Sequence, residues 1–390
     1  MGKFRSTFIS IVTICSIIAA AAVVIAYGRG YRLDFKKSSL KPTGLISATS
    51  DPVGAQVLVD GTLKTATNNS FNIDPGYYTI RITKESYIPW EKKIRVQGEV
   101  VSAITAFLFP TNPSLSPLTT LGIANPTLSP DGTKVAYVIP SPVERAGLWY
   151  YELSEGPLGR NRDPIQIDQN TTFDFRKSTV TWSPDATQLL VENTARSRLY
   201  TLGKPNTFAD VTITRKTLLA DWDAAKIDTE KQKLAAFKPA IVNMATSSAK
   251  IISFSPDETK ILYEATASAT IPQVIVPSLI GTNSTTEDRG IKPGKLYIYD
   301  SKEDKNYFLL NKKEISGAIQ WFPTSKHLLL TLKGKIDIME YDRTNWVTIY
   351  SGPFVDDFVA PWSNGSRIII LTNLNGDALT LPNLYTVNLR

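Results

Sequence analysis

A chain of 390 residues, 42% hydrophobic and 20% charged, has the length of two or three domains and enough apolar residues for folded cores. This excludes disordered and collagen-like classes, while the single cysteine and single histidine exclude disulfide frameworks and Cys- or His-based metal centres. The net charge of +7 suggests a nucleic-acid partner, but residues 1–41 hold seven Lys or Arg and one acid, so the rest of the chain is nearly neutral and no nucleic acid is expected.

The first predicted element is an apolar helix. Residues 6–28 carry no charge over 23 positions, and Lys3 and Arg5 precede them. A helix of this length crosses a hydrocarbon core of roughly 30 Å. We therefore predict a cytoplasmic N-terminus at 1–5 and an uncleaved transmembrane signal anchor at 6–28, in contact with membrane lipid. A signal peptide cleaved near Ala26-Tyr27-Gly28 is the alternative.

Two opposing signals bear on the orientation of this helix. Lys3 and Arg5 favour a cytoplasmic N-terminus, but a basic linker at 29–43 places five Lys or Arg on the other flank. Long domains translocate largely regardless of charge, and no cysteine follows Cys15. We expect a single-pass protein of the cell membrane with its large domain extracytoplasmic. A large domain that stays in the cytoplasm is the alternative.

Short strands with alternating polarity begin at Leu45. They predict a small β domain at 44–110, with Asp74-Pro75-Gly76 as one of its turns. The segment Pro52-Val53-Gly54-Ala55, followed by Val57-Leu58-Val59-Asp60-Gly61, resembles the PEGA domain, whose naming motif is Pro-Glu-Gly-Ala. The resemblance implies a β-sandwich of envelope proteins in which the motif glycine is structural and no residue is catalytic.

A turn motif repeats through the remaining chain. A large residue precedes Ser-Pro-Asp or a degenerate form of it, and an apolar strand follows, at Leu128–Gly132, Trp182–Ala186, Phe254–Glu258, Trp321–Ser325 and Trp362–Gly365. Proline presets φ at the first corner and the aspartate can accept from backbone N–H groups beyond it. We therefore assign structural turns to Pro130, Asp131, Pro184, Asp185, Pro256 and Asp257. The large residue is expected to point into the packing between sheets.

Such repeats are typical of four-stranded propeller blades, and the motif resembles that of TolB-like and other WD-type propellers. The predicted fold class is all-β, with an N-terminal transmembrane helix, a PEGA-like β-sandwich and a five-bladed β-propeller over 115–390. A sixth blade in one of the longer intervals is the alternative. The last blade lacks a fourth strand at its C-terminal end, and Leu118-Thr119-Thr120-Leu121 is predicted to supply it.

Two long insertions, 221–247 and 266–293, are predicted to leave the same face of the propeller beside the same blade. The first is expected to be helical from Ala224 to Ala236. Long loops on a rigid scaffold often carry function, although these could also only cap the propeller. We therefore take this face as the candidate binding surface, with Asp221, Trp222, Asp223, Glu287 and Arg289 as its candidate binding residues.

No catalytic or metal-binding constellation stands out. His327 begins a core strand and is expected to be a packed residue, and no cofactor is predicted. The favoured function is a membrane-anchored, envelope-facing binding or scaffold protein, not an enzyme, with an envelope protein or polysaccharide as partner. Two alternatives stay open: a glycan-processing enzyme whose carboxylates come from Asp356-Asp357 or Asp221 and Asp223, and a cytoplasm-facing assembly platform.

Overall fold

The computed structural model describes residues 2–28, 31–34, 39–142, 144–156, 162–169, 173–315, 317–355, 357–374 and 380–390. The chain divides into two compact units, the first made of Met1–Leu108 and Ile275–Thr286, the second of Phe109–Val274 and Glu287–Arg390. Residues 275–286 thus belong to the first unit, although they lie inside the second insertion of the sequence.

The N-terminal segment is an α-helix, α1 (Gly2–Gly28). Its described apolar side chains, among them Ile17 and Val24, are exposed. The sequence predicts a transmembrane span at 6–28. Within the described residues, however, no helix combines the length and the apolar character that crossing a membrane requires. The structure therefore does not support the predicted anchor.

The basic linker contains a hairpin that the sequence analysis did not predict. Strands β1 (Tyr31–Asp34) and β2 (Ser39–Pro42) pair antiparallel, with Tyr31 opposite Pro42. Four-residue strands contain too few alternating positions for periodicity to reveal them. The linker at 29–43 is therefore partly structured and not a plain spacer.

Seven strands of the first unit form a β-sandwich. They are β3 (Gly44–Asp51), β4 (Gln56–Val59), β5 (Thr62–Ala66), β6 (Asn69–Ile73), β7 (Gly76–Thr83), β8 (Trp90–Val96) and β9 (Val101–Phe107). One sheet has the order β6-β3-β9, with β3 and β9 parallel, and the other has the order β5-β4-β7-β8. Alternation buries Ile46 and Ala48 of the first sheet against Val57, Ile80 and Trp90 of the second. The strands agree with the alternating polarity, and the sandwich agrees with the expectation from the PEGA resemblance.

The second unit is built mainly from antiparallel strands. Its strands and helices are β10 (Leu115–Pro117), β11 (Ala124–Leu128), β12 (Lys134–Ile139), β13 (Gly147–Glu152), β14 (Ile165–Asp168), β15 (Thr179–Trp182), β16 (Gln188–Glu192), β17 (Ser197–Thr201), β18 (Phe208–Asp210), α2 (Arg215–Ala235), α3 (Pro239–Ser247), β19 (Ala249–Phe254), β20 (Lys260–Ala265), β21 (Ala269–Thr270), β22 (Gly290–Ile291), β23 (Lys295–Asp300), β24 (Lys305–Asn311), β25 (Ile319–Trp321), β26 (His327–Leu332), β27 (Lys335–Glu340), β28 (Val347–Ser351), β29 (Val359–Pro361), β30 (Arg367–Thr372) and β31 (Asn383–Asn388).

Apart from β21 and β22, which pair with each other in a two-stranded sheet, these strands form a series of four-stranded antiparallel sheets. Sheet 1 is β11-β12-β13-β14, sheet 2 is β15-β16-β17-β18, sheet 3 is β19-β20-β23-β24, sheet 4 is β25-β26-β27-β28, and sheet 5 is β10-β31-β30-β29. An all-β fold with four-stranded sheets is therefore confirmed, apart from the helices. The number of blades in a closed propeller stays a prediction.

Sheet 5 takes its fourth strand from the start of the second unit. Leu115 lies opposite Val387, and the N–H of Leu118 donates to the carbonyl of Leu384 over 2.8 Å. The sequence predicts this exchange but places the strand at 118–121, three residues too late. Pairing of the two ends removes an otherwise open sheet edge.

Neighbouring sheets pack face to face through apolar clusters. Sheet 5 shares a cluster with sheet 1, sheet 1 with sheet 2, and sheet 3 with sheet 4. Trp182 lies in the second of these clusters, and its indole N–H donates to the carbonyl of Thr127 in sheet 1 over 3.1 Å. At this turn the large residue before Ser points into the packing between sheets, as predicted.

Candidate functional site

The Ser-Pro-Asp segments form turns with one shared hydrogen-bond pattern. In sheet 2, Ser183 Oγ donates to Asp185 Oδ1 over 2.5 Å, and the N–H of Gln188 donates to Ser183 Oγ over 2.9 Å. Thr187 donates both its N–H and its hydroxyl to the Asp185 carboxylate. The pattern recurs at 129–134 and 255–260. The motif is therefore Ser-Pro-Asp-x-Thr, and the sequence analysis missed the threonine although its spacing is constant.

These contacts stabilise the ionised carboxylates. Hydrogen bonds from Ser183 and Thr187 lower the pKa of Asp185. At Asp131 and Asp257 burial acts in the raising direction, but hydrogen bonds within the turn and a nearby lysine outweigh it and lower the pKa. A carboxylate held in this way serves the turn and is poorly matched to proton transfer near neutral pH.

Both insertions adjoin strands of sheet 3. Helices α2 and α3 connect β18 to β19, and residues 266–293 connect β20 to β23. The two insertions and sheet 3 share one apolar cluster that includes Leu234, Phe237, Ile241, Met244, Ile261, Tyr263, Ile271, Ile291, Tyr297 and Tyr299. The two insertions therefore pack on sheet 3 around a shared apolar core.

Helix α2 is longer and placed differently than the sequence suggests. It begins at Arg215, not Ala224, and Arg215 pairs with Glu192 at the end of β16 farthest from the Ser-Pro-Asp turn. Near its C-terminal end Lys233 pairs with Glu258, inside the turn of sheet 3, over 3.0 Å. A helix of 21 residues is about 31 Å long. It therefore runs along the side of the sheets and does not simply project from one face.

Arg289 and Glu287 lie in a polar network on sheet 3. Arg289 Nη1 donates to the carbonyl of Pro272 over 3.0 Å and lies 3.5 Å from Asp304 Oδ1, and its Nε lies 2.9 Å from Glu287 Oε2. Asp304 is buried and also accepts from the hydroxyl of Tyr299 over 2.9 Å. This network fastens the second insertion to the turn between β23 and β24.

A second set of contacts completes this network, and the sequence analysis missed it. The buried Asn306 accepts from the Tyr263 hydroxyl over 2.7 Å and donates to the carbonyl of Asp288 over 2.6 Å. Burial raises the pKa of Tyr263 and Tyr299, and the hydrogen bond to Asp304 raises that of Tyr299 further, so both phenols stay protonated donors. No local motif marks Asn306 or Asp304, because their partners come from distant parts of the chain.

The candidate binding residues fall into two groups. Asp221 and Asp223 are exposed on α2 and Trp222 is half-buried there, whereas Glu287 and Arg289 belong to the network of sheet 3. No hydrogen bond or ion pair joins the two groups within the described residues. Their binding role stays a prediction. Of the carboxylates considered for a glycan-processing site, Asp357 is exposed and Asp356 lies outside the described residues.

His327 is buried, as predicted for a packed residue. Its Nδ1 lies 2.8 Å from Thr324 Oγ1, and its ring meets those of Phe109 and Phe322 edge to face. In the described part of the chain, no three His, Cys, Asp or Glu side chains are grouped so that they could hold a metal ion.

The Pro-Val-Gly-Ala segment connects the two sheets of the sandwich. Gly54 has φ +77°, which favours glycine, and the fully buried Ala55 donates its N–H to Thr67 Oγ1 over 3.0 Å. Lys84 Nζ donates to the carbonyl of Val53 over 2.9 Å. Beside this turn lies an open polar cleft of about 590 Å³, lined by Gly54, Gln56, Thr83, Lys84, Glu85 and Ser86.

Residues 43–109 match the PEGA domain family. The resemblance found in the sequence is thereby confirmed over the β-sandwich, and the glycine and alanine of the motif have structural roles in it. No curated protein matches the chain.

Three solved structures are similar to larger parts of the chain. A protein assigned as TolB from Agrobacterium tumefaciens shares 13% identity over 67% of this chain and 73% of its own, with a TM-score of 0.21. TolB from Acinetobacter baumannii shares 13% identity over 80% and 59%, with a TM-score of 0.22. A chain of a mitotic checkpoint complex shares 10% identity over 72% and 96%, with a TM-score of 0.32. TolB proteins, which the repeat motif resembles, are thus among these matches.

Proposed function

We propose that this protein is a binding or scaffold protein of the cell envelope, and that the exposed part of α2 on sheet 3 receives a protein partner. The PEGA domain supports the envelope role, because the family occurs in envelope proteins. The predicted extracytoplasmic placement of the large domain is part of this proposal. Protease treatment of intact cells tests it, since protection of the second unit from cleavage would place that unit in the cytoplasm.

The uneven burial of α2 carries the proposal. No described side chain from Arg215 to Lys233 is fully buried, although Leu234 and the residues after it enter the core of sheet 3. Helices in proteins owe most of their stability to the packing of an apolar face. A five-turn stretch that ion pairs hold near its two ends, and that buries no side chain between them, therefore has side chains available for another molecule.

The chemistry of this stretch fits a protein partner. Ile227 is 51% exposed and Trp222 half-buried, and Asp221, Asp223 and Lys226 surround them with charges of both signs. Aromatic residues beside mixed charges are typical of protein interfaces. A polysaccharide surface would call for several aromatic rings in a row, whereas α2 has a single aromatic residue, Trp222.

Site-specific crosslinking tests the proposed partner surface. A photo-reactive amino acid at Asp223 should give one discrete crosslinked species in cells, and Trp222→Ala should abolish it. The control position is Lys204, which is exposed in the connection between β17 and β18. No species at position 223, or the same species from both positions, would show that α2 is not the partner surface.

A further inference from the structure

Residues 275–286, here called the insertion tip, expose three aliphatic side chains. Val276 is 80% exposed, Leu279 47% and Ile280 71%. The surrounding segment 270–286 contains no Asp, Glu, Lys or Arg. Exposed aliphatic side chains gathered within five residues are characteristic of an interaction surface.

The tip is held in place by hydrogen bonds within the first unit. The N–H of Gly281 donates to Gln97 Oε1 over 3.1 Å, and Ser284 Oγ accepts from the N–H of Arg95 over 2.8 Å. A Cβ added at Gly281 would lie 3.0 Å from Val100, whose neighbour Val101 is itself exposed. The aliphatic side chains therefore extend from a fixed base.

Cationic and aromatic side chains lie at that base. Lys93 and Arg95 are exposed on β8, and neither has an ion pair within the described residues. Tyr77 lies opposite Arg95, and Lys93 Nζ is 5.7 Å from the centroid of its ring. Ile280 is four residues from Ser284, which places it within about 14 Å of Ser284, the residue that bonds to the N–H of Arg95.

We propose that the insertion tip and the side chains of Lys93, Arg95 and Tyr77 form a docking surface for an anionic lipid bilayer. Val276, Leu279 and Ile280 enter the acyl boundary, and Lys93 and Arg95 meet the lipid phosphates. Tyr77 takes the interfacial position that tyrosine favours. The uncharged tip fits this role because a charged residue is costly in hydrocarbon.

The order of the aliphatic, aromatic and cationic side chains favours a lipid bilayer over an apolar groove of a protein as the occupant of this surface. A groove would cover the aliphatic side chains. It would not explain why two cations without an ion pair within the described residues, and an exposed tyrosine, lie at the base of the tip. A bilayer offers acyl chains, interface and phosphates in that sequence. This surface belongs to the first unit and α2 to the second, so the inference does not depend on the proposed partner of α2.

An environment-sensitive fluorophore at the tip tests the proposal in the full chain. Cys15→Ser removes the only native thiol, and Ile280→Cys then accepts the probe nitrobenzoxadiazole. With vesicles of equal parts phosphatidylcholine and phosphatidylglycerol, the emission should rise severalfold and shift to the blue. The matched control is Leu63→Cys. Leu63 is 58% exposed on β5, at the edge of the four-stranded PEGA sheet opposite to β8, and a probe there should not respond.

The probe reports only its own surroundings, so membrane contact by another segment does not imitate the signal. The double variant Lys93→Gln/Arg95→Gln should weaken binding to these vesicles by about tenfold or more, whereas Lys204→Gln/Lys250→Gln should not. No emission change at position 280, or equal iodide quenching with and without vesicles, would overturn the proposal and point to a protein groove. The crosslinking experiment at Asp223 uses no vesicles. The proposal about α2 and the proposal about the membrane surface can therefore fail independently of each other.

Discussion

The backbone N–H of Arg95 donates to the side chain of Ser284, which lies 189 residues later in the chain. Arg95 is in β8, the outer strand of the four-stranded PEGA sheet. Exposed edge strands invite pairing with other chains, and proteins commonly cover them. The insertion tip provides such a cover, so a segment inserted between two strands of sheet 3 completes the edge of the PEGA domain.

Ser284→Ala should loosen this cover. Loss of one hydrogen bond costs about 1 kcal/mol, which corresponds to roughly fivefold faster hydrogen exchange at the Arg95 amide. Exchange measured by mass spectrometry on peptides from β8 checks this. Thr286→Ala removes an exposed hydroxyl of the same tip and is the control. Equal exchange in the two variants would show that Ser284 does not protect the edge.

Two glycines occupy equivalent positions of the repeated turn. Comparing their alanine variants separates the cost of backbone strain from the cost of steric overlap. Gly132 has φ +69° and open space around an added Cβ, whereas at Gly365, with φ +70°, a Cβ would lie 2.9 Å from the ring of Phe322. Gly132→Ala should cost about 1 kcal/mol in the free energy of unfolding through its φ alone. Gly365→Ala should cost about 1–3 kcal/mol more, because the buried Phe322 cannot yield easily.

Urea denaturation of both glycine variants measures the difference. Ala186 already occupies the same turn position with φ +55°, which shows that alanine can adopt this conformation. Equal destabilisation of the two variants would mean that Phe322 moves aside without cost, and that contact between the turns of sheets 4 and 5 is loose.

The repeats were readable from the sequence because their signals are local. Each Ser-Pro-Asp turn is specified by residues within five positions, and the apolar strand that follows alternates or is fully buried. The same reasoning found the PEGA motif, because Gly54 and Ala55 serve the turn in which they lie. The threonine of the turn could have been found too, since it follows the aspartate by two residues in three copies.

The contacts of the candidate site could not be predicted in the same way. Arg289 meets Asp304 and Pro272, and Ser284 meets Arg95, across separations that only the folded chain defines. In the sequence Arg289 looks like a free surface charge. In the structure its contacts hold the second insertion against the turn between β23 and β24. The start of α2 was missed as well, although Leu218, Leu219 and Trp222 have the spacing of one helix face.

Acid should weaken the repeated turns, because their stability depends on ionised carboxylates. The pKa of Asp185 is lowered in the folded protein, so its contribution to stability is present above the unfolded pKa of about 4 and is lost as the pH falls through the lower folded value. Asp185→Asn should therefore cost about 1 kcal/mol at neutral pH and less as the pH falls below about 4.

Thermal unfolding of Asp185→Asn and of the parent protein between neutral and acid pH measures how their difference in stability falls with pH. Asp223→Asn, at an exposed position on α2, is the control and should leave the whole profile unchanged. A constant gap between Asp185→Asn and the parent protein at all pH values would contradict the role of the charged carboxylate.

Arg289→Ala should destabilise the second unit by about 3 kcal/mol, because it leaves the buried Asp304 carboxylate without its cation. The double variant Arg289→Ala/Asp304→Asn should recover part of that loss, since no charge then remains buried. A double-mutant cycle in urea, completed with Asp304→Asn alone, gives the coupling between the two residues. Lys292→Ala, in the same insertion, is the control. Strictly additive costs would show that Arg289 acts through its other contacts, with Glu287 and with the carbonyls of Pro272 and Asp304, and not through the Asp304 carboxylate.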